Sequence, residues 1–166
     1  MGYYSDVTIV TTKKGWEYCK KHAGEIYATK LRKLGEFVEE DDNFVTTVND
    51  MGIKCLHSKD AVNNLISHPQ RYMESDGYER QWVIIEWYGI KWMGHRFKDQ
   101  EAIMDALDQS GEPFKELCIG EDGASEDNSY NGFYELDDYP EVDIVSQIEF
   151  DEGRWEDKGD EYEKHL

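Results

Sequence analysis

The stretch "QWVIIEWYGIKWM" (81–93) sets four apolar residues in a row, Trp82, Val83, Ile84 and Ile85. Side chains of a β-strand alternate between two faces. A run that is apolar on both faces belongs to a strand in the middle of a sheet, covered on each side. The whole stretch reads as a pair of strands, the first of them central. Any fold open to this chain has to be built around that strand.

The remaining elements follow from spacing and punctuation. "DVTIVTT" (6–12) is β-branched and reads as a strand. Trp16, Cys19, Ala23, Ile26, Leu34 and Phe37 recur at helical intervals, widened by Tyr27 and Leu31, and predict a long helix. Gly24 and Gly35 weaken it as possible breaks. "NFVTTVNDMGIKCLH" predicts a hairpin turning at Asn49–Gly52. "SKDAVNNLISHP" predicts a helix capped by Ser58 and ended before Pro69. "QRYMESDGYER" reads as a polar connector. "KDQEAIMDALDQSG" is the clearest helix, with Asp99 as cap, Ala102, Ile103, Ala106 and Leu107 inside and Gly111 at its end. "PFKELCIG" (113–120) and "VDIVSQIEF" (142–150) read as strands on either side of an acidic stretch.

This order predicts an α+β fold, a mainly antiparallel sheet with helices packed on one face. A ferredoxin-like arrangement is one specific form of it. Gly-Ile-Lys recurs at 52 and 89, each time followed by a histidine, Lys-Asp and a helix. Shared turn and cap chemistry explains the echo, and a repeated ββα unit is the sharper alternative. The expectation is one domain over 1–150 with an exposed, charged tail over 151–166.

Charge is distributed unevenly. The chain of 166 residues carries a formal charge of −19. Residues 119–166 hold 17 of its 37 acids against three bases, a local charge near −14. The first helix instead concentrates Lys13, Lys14, Lys20, Lys21, Lys30, Arg32 and Lys33. In one reading the acids lie partly against that basic helix. In the other, Glu121, Asp122, Glu126, Asp127, Glu135, Asp137, Asp138, Glu141 and Asp143 form a partner-binding surface. Alternate residues of a strand lie roughly 6–7 Å apart, so such carboxylates can imitate a row of phosphates. Free nucleic acid and anionic membranes are excluded as partners by repulsion, and a basic protein is the natural complement.

Motifs for chemistry are weak. "DNSYNGFYELDD" (127–138) has the ligand spacing of an EF-hand loop, but its flanks lack the required helices. The carboxylates of 121–138 leave a divalent-metal or small-enzyme reading as the alternative. A structural or assembly role is the third. His57 and His95 occupy matching places in the two echoes without metal-ligand spacing, and read as ordinary surface or capping residues. Cys19, Cys55 and Cys118 are widely spaced, which disfavours a disulfide framework and fits a reducing cytoplasm, with Cys118 a buried thiol. No phosphate-binding, nucleophile or zinc-protease motif occurs. No catalytic residue, metal or cofactor is therefore expected. The first residues contain no signal-peptide pattern.

The start "MGYYSDV", "GIKW" followed by a helix, and "IGED" leading into an acidic loop together resemble a group of small phage- and prophage-encoded proteins beginning MGYxSxV. The resemblance covers about a quarter of the chain. An added ββα unit and a longer acidic end depart from the group. It carries no catalytic residues over. It implies a viral accessory protein in the cytoplasm of a bacterial host, binding and inhibiting a nucleic-acid-binding enzyme or defence component.

Overall fold

A computed structural model describes residues 4–34, 37–92, 98–144, 148–150 and 152–162. Six strands form one sheet: β1 (Ser5–Thr12), β5 (Arg71–Ser75), β6 (Trp82–Ile90), β7 (Phe114–Gly120), β8 (Ser125–Tyr130) and β11 (Trp155–Asp157). Their order is β11-β5-β6-β1-β7-β8, with every neighbouring pair antiparallel. Helix α1 (Lys13–Arg32) follows β1, and α3 (Lys98–Gln109) precedes β7. The order β5-β6-β1-β7, with α1 and α3 as the crossovers, is the order that a split βαβ core requires. Between α1 and β5 the chain inserts a three-stranded sheet, β2 (Phe37–Glu40), β3 (Phe44–Val48) and β4 (Lys54–Ser58), and a short helix α2 (Ala61–Ser67). The fold is α+β with mainly antiparallel sheets, as the element order predicts.

Each face of the large sheet has its own core. On one side Val7, Ile9, Val83, Ile85 and Trp87 meet Trp16, Cys19, Ala23, Tyr27 and Leu31 of α1 and the inner face of α3. On the other, Val10, Met73, Trp82, Ile84 and Leu117 are covered by Phe133, Val142 and Trp155. Those three belong to a 3₁₀ turn (Phe133–Glu135), to β9 (Val142–Ile144), which pairs with β10 (Ile148–Phe150), and to β11. The run Trp82–Ile85 is thus central and fully buried, the position its double-faced apolar character predicts.

Several expectations need correction. The polar connector at 70–80 contains β5, whose Tyr72 and Met73 point to opposite cores. Instead of the expected pair of strands over 81–93, the described residues form the single nine-residue strand β6, paired with β5 and β1. Gly52 consequently turns the β3–β4 hairpin, whereas Gly89 lies near the end of β6, so the two Gly-Ile-Lys copies are not equivalent. Ser58 ends β4, and α2 starts after Asp60 without a side-chain cap. The last strand divides into β9 and β10. The described part of the expected tail is not exposed throughout. Trp155 pairs with Ser75 and is buried. Tyr162, in the single turn α4 (Gly159–Tyr162), stacks on Tyr72 at 4.5 Å and donates to the Ile66 carbonyl at 2.6 Å. Apolar side chains inside a charged segment found cover that charge counting overlooked. Gly35 and His95 lie outside the described residues.

Helix ends follow local chemistry. The Thr12 hydroxyl accepts from the Gly15 amide at 3.0 Å and caps α1. Gly111, at φ +73°, lets the chain leave α3 in a left-handed turn. No helix among the described residues is long and apolar enough to cross a membrane.

Candidate partner-binding surface

The acidic segment is built on the β7–β8 hairpin and on the cover of the second sheet face. Glu121 and Asp122 stand in the turn between β7 and β8, where the Ala124 amide donates to Asp122 at 2.9 Å. Glu135, Asp137 and Asp138 come beyond the other end of β8, roughly 20 Å away along a six-residue strand. Glu126 shares the helix-side face of β8 with Asn128 and Tyr130, while Asp127 points to the other face. Glu141 and Asp143 flank buried Val142. The nine carboxylates therefore occupy both ends and both faces of the hairpin, rather than a single row.

Two of them are tied to a cation that sequence reasoning missed. Lys115 lies on β7 on the same face as Leu117, with its side chain 1% exposed. Its ammonium group reaches Asp127 at 3.3 Å and Asp143 at 3.7 Å. It also donates to the Val142 carbonyl at 2.6 Å and to the Tyr134 hydroxyl. Burial works against the charge, but the Tyr134 hydroxyl and the Asp127 carboxylate outweigh it and hold the lysine above its ordinary pKa. Asp127 and Asp143 thereby share one cation, which offsets half of their charge. The signal lay in "FKELC", where a lysine interrupts a strand otherwise suited to a core; a charge there demands partners.

On the neighbouring residue the chain faces the other way. Glu116 is fully buried on the helix side and accepts from Trp92 Nε1 at 2.5 Å and from Asn128 Nδ2 at 3.3 Å. A third carboxylate, Asp138, accepts from the Glu79 amide at 3.0 Å and pins the β5–β6 turn.

Among the described residues no acid of 119–166 pairs with the basic helix, although the ring of Tyr162 in that segment lies 5.3 Å from the Lys20 ammonium. Lys20 pairs with Glu17 and Lys13 with Glu74, while Lys30 reaches Glu101 and Asp105 on α3. Residues 133–144 cover the opposite face of the sheet. Among the described residues, Glu121, Glu126, Glu135, Asp137 and Glu141 have no ion pair.

The EF-hand spacing over 127–138 falls on unsuitable backbone. Asp127 to Tyr130 are strand residues paired with β7, so the first ligand positions do not curl around a centre. Among the described residues no group of three histidine, cysteine or acidic side chains is placed to hold a metal ion. His57 hydrogen-bonds Thr47 Oγ1 at 3.0 Å, and burial lowers its pKa. Cys118 is buried, and burial pushes its thiol up to about 11, which makes it a poor nucleophile. Cys19 is raised further by the same cause. No family model, curated protein or solved structure matches this chain.

Proposed function

We propose that this is a binding protein, phage-like in origin, that acts in the cytoplasm of a bacterial host without catalysing a reaction. Its acidic surface occupies the basic site of a nucleic-acid-binding enzyme or defence component. The observation that carries the reading is the set of carboxylates left over after the fold has used its share. Lys115 takes Asp127 and Asp143, and the Glu79 amide takes Asp138. Glu135, Asp137 and Glu141 remain exposed, with no ion pair among the described residues. They are held by a turn and a strand that are themselves anchored in the core through Phe133 and Val142. Fixed charge of one sign steers a basic partner and anchors it once bound.

The test is capture from a bacterial lysate on immobilised protein at low and at high salt. A basic protein retained at low salt should be released at high salt. Charge reversal at Glu135, Asp137 and Glu141 should abolish its retention. Asp138 is a poorer choice for reversal, because its loss also frees the β5–β6 turn. Retention indifferent to both salt and reversal would sink the reading.

A further inference from the structure

A broad cleft lies away from the acidic segment, and cations prevail in its lining. It has a volume of about 1000 Å³. Three pieces of chain enclose it: the first turns of α1, with Lys14, Tyr18, Lys21 and His22; Arg80 and Gln81 of the β5–β6 turn; and Glu112 between α3 and β7. Lys14, Tyr18 and Lys21 fall three or four residues apart, which places them on one face of the helix.

What sets this cleft apart is that its unpaired cations converge. Elsewhere on α1, Lys20 holds Glu17 and Lys30 holds Asp105 at 2.7 Å, while Arg32, at the far end of the helix, stands without an ion pair among the described residues. Lys14, Lys21 and Arg80 have no ion pair among the described residues. Of the two acids at the cleft, only Glu17 has its charge offset by a cation. Glu17 is held by Lys20, and Glu112 accepts from the Thr12 hydroxyl at 2.8 Å. The helix terminus itself is not the attraction, because Thr12 already caps it. What remains is a concave site in which three cations without ion pairs outnumber one such carboxylate, Glu112. Its wall is aromatic: the rings of Tyr18 and His22 lie 4.2 Å apart. Cations around an aromatic wall fit an anion that also carries a planar ring.

We infer that this cleft binds a nucleoside phosphate, its phosphate held by Lys14, Lys21 and Arg80 and its base laid against Tyr18 and His22. A polymer is disfavoured, because flanking phosphates would meet the acidic remainder of the surface. The site is independent of the acidic surface and shares no residue with it.

Calorimetric titration of the full chain with the monophosphates of the four common nucleosides tests this. The comparison arms are the free nucleosides, inorganic phosphate and a short single-stranded oligonucleotide. At least one monophosphate should bind below millimolar, and at least tenfold tighter than its nucleoside or phosphate alone. Lys14→Ala with Lys21→Ala should weaken it at least tenfold. Both residues are exposed, so the fold should be unchanged by circular dichroism. Tyr18→Ala should bring the nucleotide's affinity down towards that of phosphate. No binding at millimolar nucleotide, equal binding to the double lysine variant, phosphate as tight as the nucleotide, or an oligonucleotide preferred to the mononucleotide would each overturn the inference.

Discussion

Lys115 does two jobs that are easily confused. It satisfies the Val142 carbonyl and so holds β9 against the sheet, and it bridges the two carboxylates nearest to it, offsetting one of their two charges. Removing it leaves a buried acceptor unpaired and two carboxylates facing each other. Asp127 and Asp143 are 38% and 70% exposed, so water screens part of the loss. Lys115→Met should therefore destabilise the protein by about 2 kcal/mol, less than a fully buried ion pair would give. The urea midpoint checks this, and Asp127→Asn added to the variant should restore part of it. A midpoint unchanged in Lys115→Met would mean that β9 is held by apolar contact alone. Neither Lys115 nor Glu116 stood out among the candidate residues. Composition draws the eye to the many exposed acids, whereas the few buried charges fix where those acids go.

Elements were legible where both local rules and packing agreed. Helix α3 has its inner Ala102, Ile103, Ala106 and Leu107 and its terminal Gly111 where the spacing predicts, but it starts at Lys98, so Asp99 stands inside the first turn instead of capping it. Strand β5, "RYMES", carries one apolar residue for each face between polar neighbours, so it lacks the alternation that marks a strand. Its identity comes from β6, which needs a partner on that side. Strand β8, "SEDNSY", is still less strand-like, and pairs because β7 offers an open edge. Its acids also suit an edge, since charge discourages pairing with a further chain. Strand β11 is three residues long and owes its place to Trp155, which packs near Phe150 and Tyr78 under the second face. Trp155→Ala should cost roughly 3 kcal/mol, the range for losing a large buried aromatic. It should also expose the β5 edge, measured as faster amide exchange at Glu74 and at Asp76, whose amide donates to the Arg154 carbonyl. Exchange and stability both at wild-type levels would show that the tail is dispensable.

At the scale of the whole molecule, the second sheet face is closed by the same stretch that carries most of the charge, so partner surface and core share one segment. That sharing explains why the candidate site was only partly readable. A charge count locates the acids, but which of them remain available depends on Lys115, Val142 and Phe133, which belong to packing. Stability against pH is also a collective property. Burial raises the hydroxyls of Tyr72 and Tyr162, and raises those of Tyr27 and Tyr88 to about 12. A proton held more firmly in the folded than in the unfolded chain adds stability below the unfolded value and loses it above. For tyrosine that value is about 10. The urea midpoint should hold from neutral pH to about 9.5 and then fall, less steeply in Tyr162→Phe; a flat profile to about pH 11 would contradict this. Finally, three indoles meet across the helix–sheet boundary. Trp87 lies 6.1 Å from Trp16 of α1 in an edge-on contact, and 5.8 Å from Trp92 in a stacked one. Their rings are close enough for their transitions to couple, so this junction contributes to the near-ultraviolet dichroism alongside Trp82, Trp155 and the tyrosines. Loosening α1 from the sheet would remove that contribution while leaving the backbone signal in place, which gives the fold a built-in spectroscopic gauge of its own tightness.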